Sequence, residues 1–236
     1  MFRDWAASRR ELFDDPAADG ATVVASLRDI ARANRYFGGA AAAVDRLDEF
    51  FRAAPRGGEL TLLDVGTGDG DIPRAARRRA ESRGIRLRVI GVERHRAAAR
   101  LAGRGAALTP VVADAQALPF RAGSVDCVLC SQLLHHFRGP AVAALIAELR
   151  RVARLGGVIA DLVPSPVAAL SFWLAGYPLR FHPVTRHDGF VSVLRGFTPA
   201  ALRGACREAG VEADVRTHPG FRITAAWTAR PPQART

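Results

Sequence analysis

From residue 59 onward, apolar runs of strand length alternate with amphipathic helical stretches. The first run closes on a turn with glycine at every second position: Leu62-Leu63-Asp64-Val65-Gly66-Thr67-Gly68-Asp69-Gly70-Asp71. An unbroken apolar run of this length predicts a strand covered on both faces, the condition of a parallel sheet. The spacing predicts strands over 60–65, 87–92, 108–113, 125–130 and 158–162. Helices are expected over 72–82, 95–101 and 140–154, with Gly156-Gly157 turning the chain into the fifth strand. Segments 211–215 and 221–228 read as a terminal antiparallel pair. Repeated strand–helix units imply an α/β fold: a Rossmann-like, doubly wound, mostly parallel seven-stranded sheet with an antiparallel terminal strand.

Two stretches break this rhythm. Residues 1–58 read as an N-terminal helical cap, interrupted at Gly38-Gly39. The remainder, 59–236, is expected to form one domain built around the glycine turn. Within it, 164–197 holds four prolines together with Phe172, Trp173, Tyr177, Phe181, Phe190 and Phe197. This is expected to be an insertion carrying one apolar helix, either as a substrate lid or as packing for the N-terminal helices. The tail 230–236 is expected to fray.

The glycine turn lets backbone approach a ligand closely. A dinucleotide site would place a third glycine at position 71, where this chain has Asp71, and an acid at a helix N-terminus opposes a pyrophosphate. A phosphate-free nucleoside fits better. Glu93 closes the second strand and offers two acceptor oxygens, suited to the paired hydroxyls of a ribose. Asp114, after the third strand, is placed to receive an adenine amino group, with Leu118-Pro119-Phe120 walling the ring. Each acid alone can be a helix cap; at the C-terminal ends of consecutive parallel strands, the three face one crevice.

These motifs resemble class I S-adenosylmethionine (SAM)-dependent methyltransferases over about residues 60–162, in their small-molecule branch, which includes quinone-pathway and phenolic-polyketide enzymes of secondary metabolism. The resemblance extends to Ser124–Phe137 and to Leu149-Arg150-Arg151-Val152-Ala153-Arg154-Leu155-Gly156-Gly157, where Leu155 replaces the usual proline. It implies SAM as cofactor and S-adenosylhomocysteine (SAH) as product, with no metal. It places Asp64, Gly66, Thr67, Gly68, Gly70, Glu93, Arg94, Asp114, Ala115 and Ser131 around the cofactor.

The family does not fix the acceptor. Cys130-Ser131-Gln132-Leu133 lacks the Asn/Asp-Pro-Pro-aromatic pattern of nucleic-acid amino methyltransferases. A phenolic hydroxyl is the expected acceptor, with C-methylation of a quinone-like ring as the alternative and RNA or protein methylation behind both. His136 is the candidate base and Asp161, ending the fifth strand, its orienting acid. His135 is a candidate substrate contact, and either His can equally shape the pocket. Phe172, Trp173, Tyr177 and His187 complete the expected substrate wall; His187 has a structural reading as well. Arg32, Asn34, Arg35 and Tyr36 are candidates to close over SAM.

The net charge of +11 ordinarily suggests an anionic partner. All 34 basic Lys/Arg positions are arginine, and alanine and glycine are abundant, which reads as codon bias of a GC-rich genome. No nucleic-acid partner is therefore expected. Cys127 and Cys130 are three apart in a predicted strand and point to opposite faces, so they are expected to be core residues and not a metal pair. With no visible leader and no apolar run of about 18 residues, the chain is expected to be cytoplasmic, without stable membrane insertion, and a monomer or homodimer.

Overall fold

The structure is a computed structural model that describes residues 11, 18–104 and 108–229. The expected tail at 230–236 and most of the first 17 residues lie outside them. Two helices come first, α1 (Gly20–Tyr36) and α2 (Gly39–Ala53). The side chain of Asp19 caps α1 by accepting from the Thr22 amide, and Gly38, at φ 76°, makes the left-handed bend between the helices. The alternating region follows as β1 (Glu59–Val65), α3 (Asp71–Ser82), β2 (Arg86–Glu93), α4 (Arg96–Ala102), β3 (Thr109–Val112), β4 (Val125–Ser131), a 3-10 turn (Leu134–His136), α5 (Pro140–Val152) and β5 (Ala153–Leu162). After these come α6 (Pro166–Ala175), α7 (Pro183–Arg195), α8 (Pro199–Glu208), β6 (Asp214–His218) and β7 (Arg222–Thr228). Helices α6, α7 and α8 each start on proline behind a side-chain cap from Ser165, His182 or Thr198.

The seven strands run in the order β3-β2-β1-β4-β5-β7-β6, with β7 antiparallel to both neighbours and the other pairs parallel. The order reverses between β1 and β4, which opens a crevice at the C-terminal strand ends. Each face of the sheet is buried. Leu63, Val65, Val128 and Ile159 pack against α5 and α8, while Leu62, Leu129 and Val158 pack against α2 and α3. Leu47, Phe50 and Phe51 of α2 join the second layer, so this helix covers the sheet itself. Cys127 faces one layer and Cys130 the other, both fully buried, as the strand period requires.

Four local expectations are corrected. Gly156-Gly157 is no turn but part of β5: the Trp227 ring lies over Gly157, where a Cβ would stand 2.6 Å from it. The interruption at 164–197 holds two helices instead of one, because Pro178 and Pro183 divide it between α6 and α7. The sixth strand runs over Asp214–His218, three residues later than 211–215, and Val211 packs in the core ahead of it. The helix before β5 ends at Val152, since Ala153 is already paired with Val125.

Candidate active site

The glycine turn is held to the second strand by Gly66 and Thr67 amides, both donating to the Val92 carbonyl. Gly66 adopts φ 77°, and a Cβ there would meet the Leu133 side chain at 3.0 Å, so both conformation and space demand glycine. Glu93 accepts from the Gly68 amide at 3.2 Å and the Arg94 amide at 2.9 Å. Asp114 accepts from the Gln116 amide at 2.9 Å, fixing the bend after β3. The chain beyond these strand ends encloses a cavity of about 660 Å³, lined by Asp64, Gly66, Thr67, Gly68, Glu93, Arg94, Asp114, Ala115 and Ser131. Gly70 stands back from it, turning the chain into α3 at φ 78°.

One end of the cavity is built for charge. Asp64 is 2% exposed, and its Oδ1 has no hydrogen-bond partner. Burial pushes its carboxyl up to about 7, with Thr67 opposing and Asp71 and Glu93 adding to the rise. Asp71 is raised as well, by burial, against the hydrogen bond it accepts from Asn34 Nδ2 at 3.0 Å. Asn34 Oδ1 in turn accepts from Gln132 Nε2. Gln132 sits at φ 50°, a left-handed backbone rarely adopted by a side-chain-bearing residue, directly after β4. Close to Asn34, beside Gly39, lies Arg222 of β7. It is 6% exposed, its Nε donates to the Phe37 carbonyl, and its Nη1 is orphaned. Burial lowers its guanidinium to about 10, partly offset by the charge of Asp161.

The histidine pair resolves differently from expectation. Asp161 does not meet His136. It meets His135, with Nδ1 2.7 Å from Asp161 Oδ1. Asp161 also accepts from the His135 amide through Oδ2 and from the Leu162 amide through Oδ1. Both histidines follow β4 in the 3-10 turn and both line the cavity; the first lies under the end of β5, while the second is directed toward Glu11. The rings still lie 4.5 Å apart. His135 is 3% exposed and lines the cavity, and its Nε2 has no partner. Burial works against a charged ring, but the charge and hydrogen bond of Asp161, with help from Glu11, outweigh it and hold His135 above the usual histidine value. His136 Nε2 stands 3.8 Å from Glu11 Oε2. Glu11, His135 and His136 form the one cation-sized grouping among the described residues. Glu11 is already taken by Arg195 at 2.8 Å and Ser192 at 2.7 Å.

Of the expected substrate wall of Phe172, Trp173, Tyr177 and His187, only Phe172 lies inside. Phe172 lines the cavity, tilted against Phe37 and Phe181 at centroid distances of 6.0 and 5.9 Å. Trp173 and Tyr177 turn outward, edge to face with each other at 5.0 Å, and are not cavity residues. His187 also points away, more than half exposed and 3.0 Å from Asp188 Oδ1. Helical geometry explains the first part of the split, because Phe172 faces α7 while Trp173, one position later, falls on another side of α6; Tyr177 lies in the turn after the helix ends at Ala175. Of the N-terminal candidates, Asn34 reaches the cavity. Arg32 instead bonds the Leu179 carbonyl, and Arg35 and Tyr36 face out. Sequence reasoning missed Arg222, Gln132, Thr185 and Glu11. Nothing in a chain with so many arginines singles out Arg222, and no motif marks Glu11.

Residues 63–160 match the family described as "Methyltransferase domain". Similar solved structures include a SAM-dependent methyltransferase from Aquifex aeolicus (13% identity, TM-score 0.59, 89% of this chain and 98% of that one). An O-methyltransferase family protein from Burkholderia thailandensis aligns at 16% identity and TM-score 0.62, over 88% of this chain and 59% of that one. Magnesium protoporphyrin IX methyltransferase from Synechocystis with bound SAH aligns at 16% identity and TM-score 0.53, over 79% and 82%. At such identities these likenesses show the fold. A comparison with curated proteins gives no match.

Proposed function

We propose that this chain, which carries a methyltransferase domain over residues 63–160, uses SAM to methylate a small hydrophobic acceptor, a phenolic hydroxyl above all. The observation that carries the reading is the cavity's two-part wall. Acids at three strand ends line one part, and an orphaned imidazole nitrogen backed by a buried carboxyl lines another.

The residues fit SAM on their own chemistry. Asp64 has a buried oxygen with no partner, which an ammonium group would satisfy. Arg222, with its orphaned Nη1, would receive a carboxylate at the same end of the cavity. Together they complement an amino-acid terminus. Glu93 carries two acceptor oxygens for a ribose diol, and Asp114 stands beyond it for the adenine edge. When bound, SAM supplies an electrophilic methyl group on a sulfonium.

His135 then does the proton work. Its Nδ1–H is held by Asp161 Oδ1, which leaves Nε2 as the acceptor for a hydroxyl proton. A phenol has a pKa of about 10, so a base aligned with it helps without carrying the whole reaction. General-base help is worth about 10²–10⁴-fold, and the rest comes from holding acceptor and methyl donor in line. Leu27, Leu133, Phe137, Leu162, Phe172 and Val193 line the cavity and favour an apolar or aromatic acceptor.

The test is mass spectrometry of SAM with phenolic, quinone and RNA acceptors. A methylated phenol is expected. Methylation of ring carbon or RNA alone would overturn the acceptor assignment and leave SAM binding, which isothermal titration with SAH measures separately.

A further inference from the structure

Eight large apolar side chains are exposed among the described residues, and five of them lie between 167 and 177: Val167, Leu170, Trp173, Leu174 and Tyr177. Two others flank that stretch. Phe221 follows from the backbone bond between its carbonyl and the Val163 amide, and Tyr36 from the packing of its neighbour Phe37 on Phe172. Helix α6 buries only Ala169 completely and presents apolar groups over most of its circumference. A soluble surface rarely concentrates apolar side chains in this way without a partner.

The charge around the patch selects the partner. No Asp or Glu occurs from residue 162 to 187, while Arg180 and Arg186 do. The Arg186 guanidinium lies 3.8 Å over the Tyr177 ring. From α1, exposed Arg28, Arg32 and Arg35 fall at helical spacing, and Arg32 reaches the Leu179 carbonyl at 2.9 Å and the Phe181 ring. Among the described acids of the adjoining elements, Asp29 is engaged by Arg32, Thr185 and the His182 amide, Asp188 by His187 and Glu11 by Arg195, all three buried, while exposed Asp19 caps the opposite end of α1. An apolar helix with Trp173, followed by a turn with Tyr177, rimmed by exposed Arg28, Arg35 and Arg180 and with no acid between residues 162 and 187, matches the boundary layer of an anionic bilayer.

We propose that α6 and its arginine rim dock this protein on an anionic lipid surface, with Leu170, Trp173 and Leu174 inserted at the level of the headgroups. The helix does not span the bilayer; it lies on it. Its inner side carries Phe172, a wall of the cavity, so docking places the cavity's outer helix against the lipid. The proposal stands on exposure and charge and holds whatever the cavity methylates.

The test uses the full chain with vesicles of phosphatidylcholine, alone or mixed with phosphatidylglycerol. Co-sedimentation and a blue shift of tryptophan emission, quenched by brominated lipid, are expected with the mixed vesicles and not with phosphatidylcholine alone. The double variant Leu170→Ser/Leu174→Ser should bind at least about tenfold more weakly while keeping its circular dichroism and melting temperature, since both side chains are exposed. Arg180→Glu should weaken binding and make the remaining binding less sensitive to salt, since one attractive charge contact fewer is left to screen. Absence of vesicle binding by the wild-type chain overturns the proposal. So does a concentration-dependent dimer in light scattering that the double variant abolishes, which would make the patch a protein interface.

Discussion

Asp161 Oδ1 and His135 Nδ1 are 2.7 Å apart with both side chains buried, and this contact fixes which face of the imidazole meets the cavity. One nitrogen is committed to a carboxyl, and the other, Nε2, has no protein partner. A buried nitrogen left in this state costs about 1–3 kcal/mol, a cost that a hydroxyl ligand would relieve.

His135→Ala should therefore reduce kcat by about 10²–10⁴-fold with little change in SAH affinity. His136→Ala, whose ring is directed toward Glu11, should cost much less. Single-turnover methyl transfer with both variants checks this. Equal losses, or a larger loss at 136, would return the base role to the second histidine.

His135 is held above 6.5 by Asp161, against the opposing effect of burial. As a base it must be neutral, so kcat/KM should rise with pH through an apparent pKa above 6.5. Asp161→Asn removes the charge, and the acid limb should move to lower pH while the plateau falls. The stability linkage has the opposite slope. A histidine raised in the folded state stabilises it fully below the unfolded value, and this contribution is lost as pH rises through the folded value. Melting curves across pH 6–8, compared with His135→Gln, should show that difference.

Asp64 is raised from 3.8 to about 7 by burial. For an acid shifted upward, folding is favoured below 3.8 and that advantage is lost as pH rises toward 7. Asp64→Asn should accordingly raise the melting temperature of the ligand-free protein at pH 8, by an amount corresponding to roughly 1–3 kcal/mol. It should also weaken SAH binding about tenfold or more. Titration calorimetry in buffers of different ionisation enthalpy should detect proton release on SAH binding near pH 6.5 in the wild type and not in the variant.

Gly189 admits the Phe172 ring, since a Cβ there would stand 2.0 Å from Phe172 Cε1. Gly189→Ala should push that ring into the cavity. The expected outcome is a raised KM for the acceptor with the SAH dissociation constant unchanged within about twofold, measured by steady-state kinetics and calorimetry. Parallel loss of both would show that the ring also shapes the cofactor end.

Much of this molecule was legible in the chain. Apolar runs of strand length, separated by helical periods, sufficed for the sheet and its two covered layers, because burial on both faces leaves its mark directly on composition. The placement of Asp64, Glu93 and Asp114 followed too, since the parallel connection sends every strand end to the same edge. Local glycine chemistry misled at 156–157: there the residue is small because Trp227 lies over it, a contact made by a strand some 70 residues away.

Tertiary structure alone decided the rest. Consecutive histidines differ by a rotation that sequence does not encode, and the 3-10 turn gave Asp161 to His135. Trp173, Tyr177 and His187 have the composition of a pocket, but helix phase put Trp173 and His187 outside and the turn after α6 carried Tyr177 away, while Phe172 went in. Arg222 is one arginine among 34, and only pairing of β7 beside β5 brings it to the crevice. The sequence by itself determined the elements and their order, because those depend on local periodicity. Which side chains share the cavity depended on distant segments meeting, and that is a property of the packed chain.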